Sequence, residues 1–152
     1  MTRLDDMADR VELRALVDRY AVAADTRDRA GFAGVFTDDG VLDIGPDGGL
    51  VGPDAIPAPL DYLDAHYTHT MHFIGTHDVA LDGDHATGTV FCLAHHLWAR
   101  DDETMVSCMG MRYFDRYVRT DDGWRIAHRS MSADWQEDRP ASPPAGPLGP
   151  IG

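Results

Sequence analysis

The chain has 152 residues with 26 acidic against 13 basic side chains, a formal net charge of −13. That length is one domain with room for a core and a pocket, and the surplus of negative charge excludes nucleic acid and an anionic membrane as expected partners. Every basic residue is Arg, and Lys and Asn are absent, which removes Schiff-base chemistry and N-linked glycosylation.

From residues 6–24, Met7, Val11, Ala15, Leu16, Tyr20 and Ala23 recur at helical spacing, which predicts a surface helix with one buried stripe. A second short helix is expected over 27–35, a strand over 40–45, and a turn at Pro46-Asp47-Gly48-Gly49. Pro53 suits the first turn of a further helix through about Ala65, with Pro57 and Pro59 making its start irregular. Four long segments follow, 69–80, 85–99, 104–119 and 124–133, separated by turn-rich Leu81-Asp82-Gly83-Asp84, Arg100-Asp101-Asp102-Glu103 and Thr120-Asp121-Asp122-Gly123. They read as an antiparallel meander. Both faces of the 85–99 segment are largely apolar, which predicts a strand covered on both sides.

Helices followed by long strands predict an α+β domain whose N-terminal helices cover one face of a strongly curved antiparallel sheet, and strands this long can curve enough to form a cone-shaped barrel. Its expected extent is 1–139, with 140–152 a flexible Pro/Gly-rich tail. No apolar run approaches the ~20 residues needed to cross a bilayer, and the N-terminus lacks a signal peptide's apolar region, so the expected location is cytoplasmic. Cys92 and Cys108 lie in apolar alternating segments rather than a CxxC arrangement and are expected as buried thiols.

The candidate chemistry centres on Asp25 and His72. A carboxylate beside an imidazole sets its tautomer and supports proton abstraction. His72 should share a strand face with Thr70 and Ile74, a mixed face suited to a pocket wall; a satisfied structural histidine is the alternative. Asp25 either faces that pocket or caps the next short helix. Tyr20 stands five residues earlier, as a pocket phenol or a core tyrosine. In the last strand, Trp124, Ile126 and His128 form one alternating set and Arg125, Ala127 and Arg129 the other; Arg129 is the arginine placed to hold an anionic leaving group or an enolate oxygen, a surface arginine being its alternative. His66, His69 and His72 stand three apart, but a strand turns His69 and His72 to opposite sides, so neither a metal nor any other cofactor is expected.

Tyr20 and Asp25, then Thr70-Met71-His72-Phe73, then a long-stranded sheet ending Asp122-Gly123-Trp124-Arg125-Ile126-Ala127-His128-Arg129, together resemble the SnoaL-like family of the nuclear transport factor 2-like superfamily. The pattern is most similar to the hexachlorocyclohexane dehydrochlorinase, scytalone dehydratase and bile-acid dehydratase group. That resemblance implies Asp25 orienting His72 as base, Arg129 assisting the leaving group, Tyr20 as a further catalytic residue, and a second histidine at His95 or His96. The dehydrochlorinase has a lysine near the place of Tyr20, and this chain has none, which favours loss of water over loss of halide.

The expected function is therefore a cofactor-independent lyase of dehydratase type, acting on a small alicyclic or polycyclic hydroxy compound. An isomerase or cyclase of a polycyclic ketone or polyketide would use the same dyad, and a non-catalytic small-molecule-binding domain would use the pocket alone. The expected partner is a hydrophobic small-molecule substrate. The resemblance also implies a homo-oligomer, a dimer or trimer.

Overall fold

The computed structural model describes residues 3–45 and 48–142; the remainder, including most of the expected tail and part of the turn at 46–49, lies outside the described residues. Its elements in chain order are α1 (Arg3–Thr26), α2 (Arg29–Gly34), β1 (Phe36–Asp43), β2 (Leu50–Val51), α3 (Ala58–His66), β3 (His69–Asp82), β4 (His85–Arg100), β5 (Glu103–Thr120) and β6 (Gly123–Pro140). α3 begins five residues later than Pro53 predicts, with Pro57 at its N-cap position. β6 runs through Pro140, whose neighbour Ala141 donates its backbone N–H to Thr104 O, so the strand reaches into the segment expected as tail.

β3 to β6 form the expected antiparallel meander, but the sheet is neither wholly antiparallel nor closed. Its strand order is β2-β1-β6-β5-β4-β3, with β1 parallel to β6 and β2 antiparallel to β1. The strongly curved cone-shaped barrel expected from the sequence is thus corrected to an open mixed sheet with β2 and β3 as its edges. The physical reason is that β1 pairs with the last strand, and no hairpin or local period encodes a parallel pairing over that separation.

α1 lies against the inner face. Its buried stripe is Leu13, Leu16, Val17, Tyr20, Ala21, Ala23 and Ala24, while Met7 and Val11, expected to be buried, are exposed. The core continues through Phe32, Phe36, Leu42, Val90, Ala94, Tyr113, Trp124 and Ile126. β4 is buried on one side only: Val90, Cys92, Ala94 and His96 face the core, whereas Phe91 and Leu93 are exposed, correcting the expectation of cover on both faces. Cys92 and Cys108 are buried, unpaired thiols. Among the described residues no helix is long and apolar enough to cross a membrane.

Two bulges decide which side chains face inward. In β3, pairing passes from Ile74–Cys92 to His77–Val90, so Gly75 and Thr76 oppose one residue of β4. The inward set changes from Thr70, His72 and Ile74 to His77, Val79 and Leu81. Arg14 donates to the carbonyls of Gly75 (2.7 Å) and Ile74 (3.0 Å), and Arg10 to that of Val79 (2.8 Å), which fastens α1 to this irregular stretch. In β6, pairing passes from Ile126–Tyr117 to His128–Arg116, leaving Ala127 unpaired. Arg129 therefore turns to the core side with Trp124 and Ile126, rather than to the opposite face as strict alternation predicts.

The far end of α1 is held by Asp9, 4% exposed, which accepts from Arg119 Nη2 at 2.6 Å and Trp124 Nε1 at 3.0 Å. The bond from Arg119 holds the Asp9 carboxyl below its ordinary range against the opposing effect of burial. Replacing Asp9 with Ala strands the indole N–H and should lower stability by about 2–3 kcal/mol, read from urea unfolding followed by tryptophan fluorescence.

Candidate active site

α1 runs two residues further than expected, so Asp25 belongs to the helix and faces β3. The helix stops at Arg27, whose φ of 59° is left-handed, and Asp28 rather than Asp25 caps α2 by accepting from Gly31 N at 2.9 Å. Asp25 instead collects three donors from β3. His72 Nδ1–H donates to Oδ1 at 2.7 Å, the His72 backbone N–H to Oδ2 at 2.8 Å, and the Thr70 hydroxyl to Oδ1 at 2.9 Å. The Arg27 guanidinium donates in turn to Thr70 Oγ1 at 2.9 Å and to Ala24 O at 2.6 Å. Burial alone would raise the Asp25 carboxyl, but the His72 and Thr70 hydrogen bonds outweigh it and hold Asp25 below the ordinary carboxylate value.

An ionised Asp25 accepting from Nδ1 fixes the proton of neutral His72 on that nitrogen and leaves a lone pair on Nε2. That side of the ring borders a cavity of about 140 Å³ lined by Tyr20, Phe32, Leu42, Leu60, Leu63, His72, His96, Met111, Tyr113 and Met131. Larger clefts exist, including one of about 610 Å³ beside Arg29, Asp54 and Arg125, but it is open and polar and contains no histidine. Of the two histidines left open by the sequence, His96 faces the cavity, 5% exposed, with its Nε2 3.4 Å from His72 Nε2. Burial lowers its pKa to about 4, with neighbouring His72 adding to the effect, so His96 is neutral near pH 7. His66 and His69 are exposed, and neither lines the cavity.

Tyr20 is buried against Phe32, and burial raises its phenol above the ordinary value, so it remains a proton-bearing donor. Arg129 is fully buried behind it. The guanidinium carbon stands 4.1 Å from the Tyr20 ring centroid and 4.5 Å from that of Tyr113, and it meets Asp115 in two bonds, Nε to Oδ1 at 2.8 Å and Nη2 to Oδ2 at 2.7 Å. Burial would lower the Arg129 pKa, but Asp115 more than offsets it and the guanidinium stays charged. Tyr117 donates to Asp115, and its hydroxyl lies 3.0 Å from His77 Nε2. Of the four predicted site residues, His72 and Tyr20 line this cavity, whereas neither Asp25, which stands behind His72, nor Arg129 is among its lining residues. Sequence reasoning missed Asp115, the Arg27–Thr70 support and the His77 end of the network. A signal for the first existed: an aspartate stands between inward tyrosines in Tyr113-Phe114-Asp115-Arg116-Tyr117.

A helix-backed mixed sheet holding a carboxylate–imidazole pair beside an apolar cavity makes this an α+β protein with an active-site-like centre. The chain belongs to the SnoaL-like family, whose domain model matches residues 5–130. It is 33% identical over 138 residues to the uncharacterized protein Rv2910c of Mycobacterium tuberculosis, covering 90% of this chain and 93% of that one. The structure of Kfla4162 from Kribbella flavida is similar at 28% identity and a TM-score of 0.76, covering 87% of this chain and 95% of that one. The hexachlorocyclohexane dehydrochlorinase LinA-type3 of Novosphingobium barchaimii is similar in fold, with a TM-score of 0.78 at 16% identity over 93% of this chain and 95% of that one.

Two measurements test the electrostatics. Removing one partner of the Arg129–Asp115 pair leaves a bare buried charge, so Asp115→Ala should cost about 3–5 kcal/mol in chemical denaturation, and Asp115→Leu with Arg129→Met should restore most of it. His96 has a folded-state value below its unfolded one, so the unfolded chain takes up the proton first. Stability should therefore fall as pH drops from 6.5 towards about 4, by up to about 3 kcal/mol, and His96→Gln should flatten that part of a Tm-against-pH curve.

Proposed function

We propose that the protein is a cofactor-independent lyase of dehydratase type, with His72 as its base. The observation that carries this reading is the 2.7 Å bond between Asp25 Oδ1 and His72 Nδ1, because it leaves the Nε2 lone pair for a carbon acid in the cavity. In the reaction, His72 Nε2 takes a proton from carbon, and the electron pair released becomes the new C=C bond. The leaving hydroxyl departs as water with the proton of the Tyr20 phenol, and transfer of the His72 proton back to the Tyr20 oxygen resets both groups. Asp25 stabilises the imidazolium that forms.

Arg129 serves this site through Tyr20. Its charge lies against the face of the ring, where it favours negative charge developing on the phenol oxygen, while Asp115 fixes the guanidinium in place. The cavity of about 140 Å³ is close to the ~150 Å³ that holds a benzene ring, which suits one ring of an alicyclic hydroxy compound at the reacting end. The 16% identity to the dehydrochlorinase supports the fold and not the choice of leaving group. Self-association agrees with the exposed Phe73, Phe91, Leu93 and Trp135 on the strands.

The second reading, proton transfer between two carbons without loss of water, draws on His96, a second neutral imidazole 3.4 Å from the base. Product mass separates the two, since dehydration lowers it by about 18 Da and isomerisation leaves it unchanged. With a panel of cyclic β-hydroxy ketones, the wild-type chain should give the lighter product. His72→Ala should lower kcat/KM by ~10²–10⁴-fold with an unchanged circular-dichroism spectrum. A folded His72→Ala protein with wild-type turnover removes the base assignment.

A further inference from the structure

The two cavity histidines make only a long hydrogen bond with each other, their Nε2 atoms 3.4 Å apart against the ~2.7–3.2 Å of an ordinary N–H donor. The spacing suits a different arrangement. Two imidazole nitrogens each ~2.05 Å from one tetrahedral Zn²⁺ stand ~3.3 Å apart. The ring centroids are 5.2 Å apart and the planes inclined at 60°, so the rings are not stacked face to face, and the centroid spacing agrees with the ~5.3 Å that such a shared apex gives.

The surroundings add a second argument. Asp25 holds His72 Nδ1 at 2.7 Å, the carboxylate–imidazole support that orients a metal-binding histidine and raises its basicity. His96 Nδ1 is buried without a hydrogen-bond partner, so no bond on that side fixes its tautomer, and its Nε2 lone pair can turn to a cation. Among the described residues no group of three or more His, Cys, Asp or Glu side chains converges as a metal site, so the chain offers two ligands and solvent must complete the set.

We propose that His72 Nε2 and His96 Nε2 together form an open binding site for a borderline divalent cation of the Zn²⁺ type. Two ligands make it weaker than a four-ligand structural site, and the cation is exchangeable. Its occupancy takes the lone pair that proton abstraction needs, so a filled site is an inhibited one. The binding goes beyond the proposed lyase activity; only the inhibition rests on that reading.

The test is calorimetric titration of the full chain, stripped by a chelator, with Zn²⁺ alone, together with ¹⁵N spectra of the histidine rings. One Zn²⁺ per chain is expected, with affinity lowered at least ~tenfold in His72→Ala and in His96→Ala, lowered in Asp25→Asn, and unchanged when exposed His66 and His69 are both replaced by Ala. In the wild-type chain, the Nε2 resonances of His72 and His96 should move together as Zn²⁺ is added, which needs no variant to fold. Co²⁺ in place of Zn²⁺ should show the visible spectrum of a tetrahedral site. Equal Zn²⁺ affinity in wild type and His96→Ala, or shifts confined to exposed histidines, overturns the proposal. None of these readouts involves turnover, so their failure leaves the elimination reading standing, and zinc binding without dehydratase activity separates the two in the other direction.

Discussion

The Arg129–Asp115 pair is the interaction on which the interior depends. A guanidinium with no exposed surface is tolerated only if its charge is met, and Asp115 meets it with two parallel bonds from the neighbouring strand. The consequences spread outward. Tyr20 of α1 and Tyr113 of β5 cover the guanidinium with their rings, Tyr117 donates to the same carboxylate, and His77 reaches the Tyr117 hydroxyl from β3. Helix and sheet are thereby tied at one buried point, so the rotation of α1 about its axis is fixed by a polar contact as well as by apolar packing.

That rotation decides where Asp25 falls. Tyr20 and Asp25 are five residues apart, a little under one and a half helical turns, so anchoring Tyr20 over Arg129 sends Asp25 round towards β3. There the carboxylate replaces lost water with the His72 backbone, the His72 ring and the Thr70 hydroxyl. Arg10 and Arg14 fasten the other end of the same contact through the carbonyls around the β3 bulge. The dyad thus depends on α1 being held at both Tyr20 and Arg14, and neither residue belongs to it.

Much of this was readable from residues alone, and the failures have a common cause. The meander of β3 to β6 followed from turn-rich separators, and the Asp25–His72 pairing from a family resemblance. Strict alternation then misplaced Arg129, because one unpaired residue, Ala127, reverses the facing of the residues that follow it up to a second register shift at Asp134, and no local composition marks it as a bulge. The parallel pairing of β1 with β6 was invisible for a similar reason: it links residues about ninety positions apart with no turn between them. Met7 and Val11 fit a helical stripe yet lie outside it, since the stripe is set by where the sheet lies and not by periodicity alone.

The site's chemistry reduces to one lone pair. Asp25 holds an N–H on His72 Nδ1, and across the apolar cavity the hydrogen-bonding neighbour of His72 Nε2 is His96 Nε2, 3.4 Å away. His96, kept neutral by burial, adds no positive charge that would oppose protonation of His72. A carbon acid held near Tyr20 and a small cation shared with His96 would both be received by that same nitrogen. The features that would make His72 an effective base, a fixed tautomer and a desolvated lone pair, are the ones that make it a metal ligand, so the two uses exclude each other at any one moment.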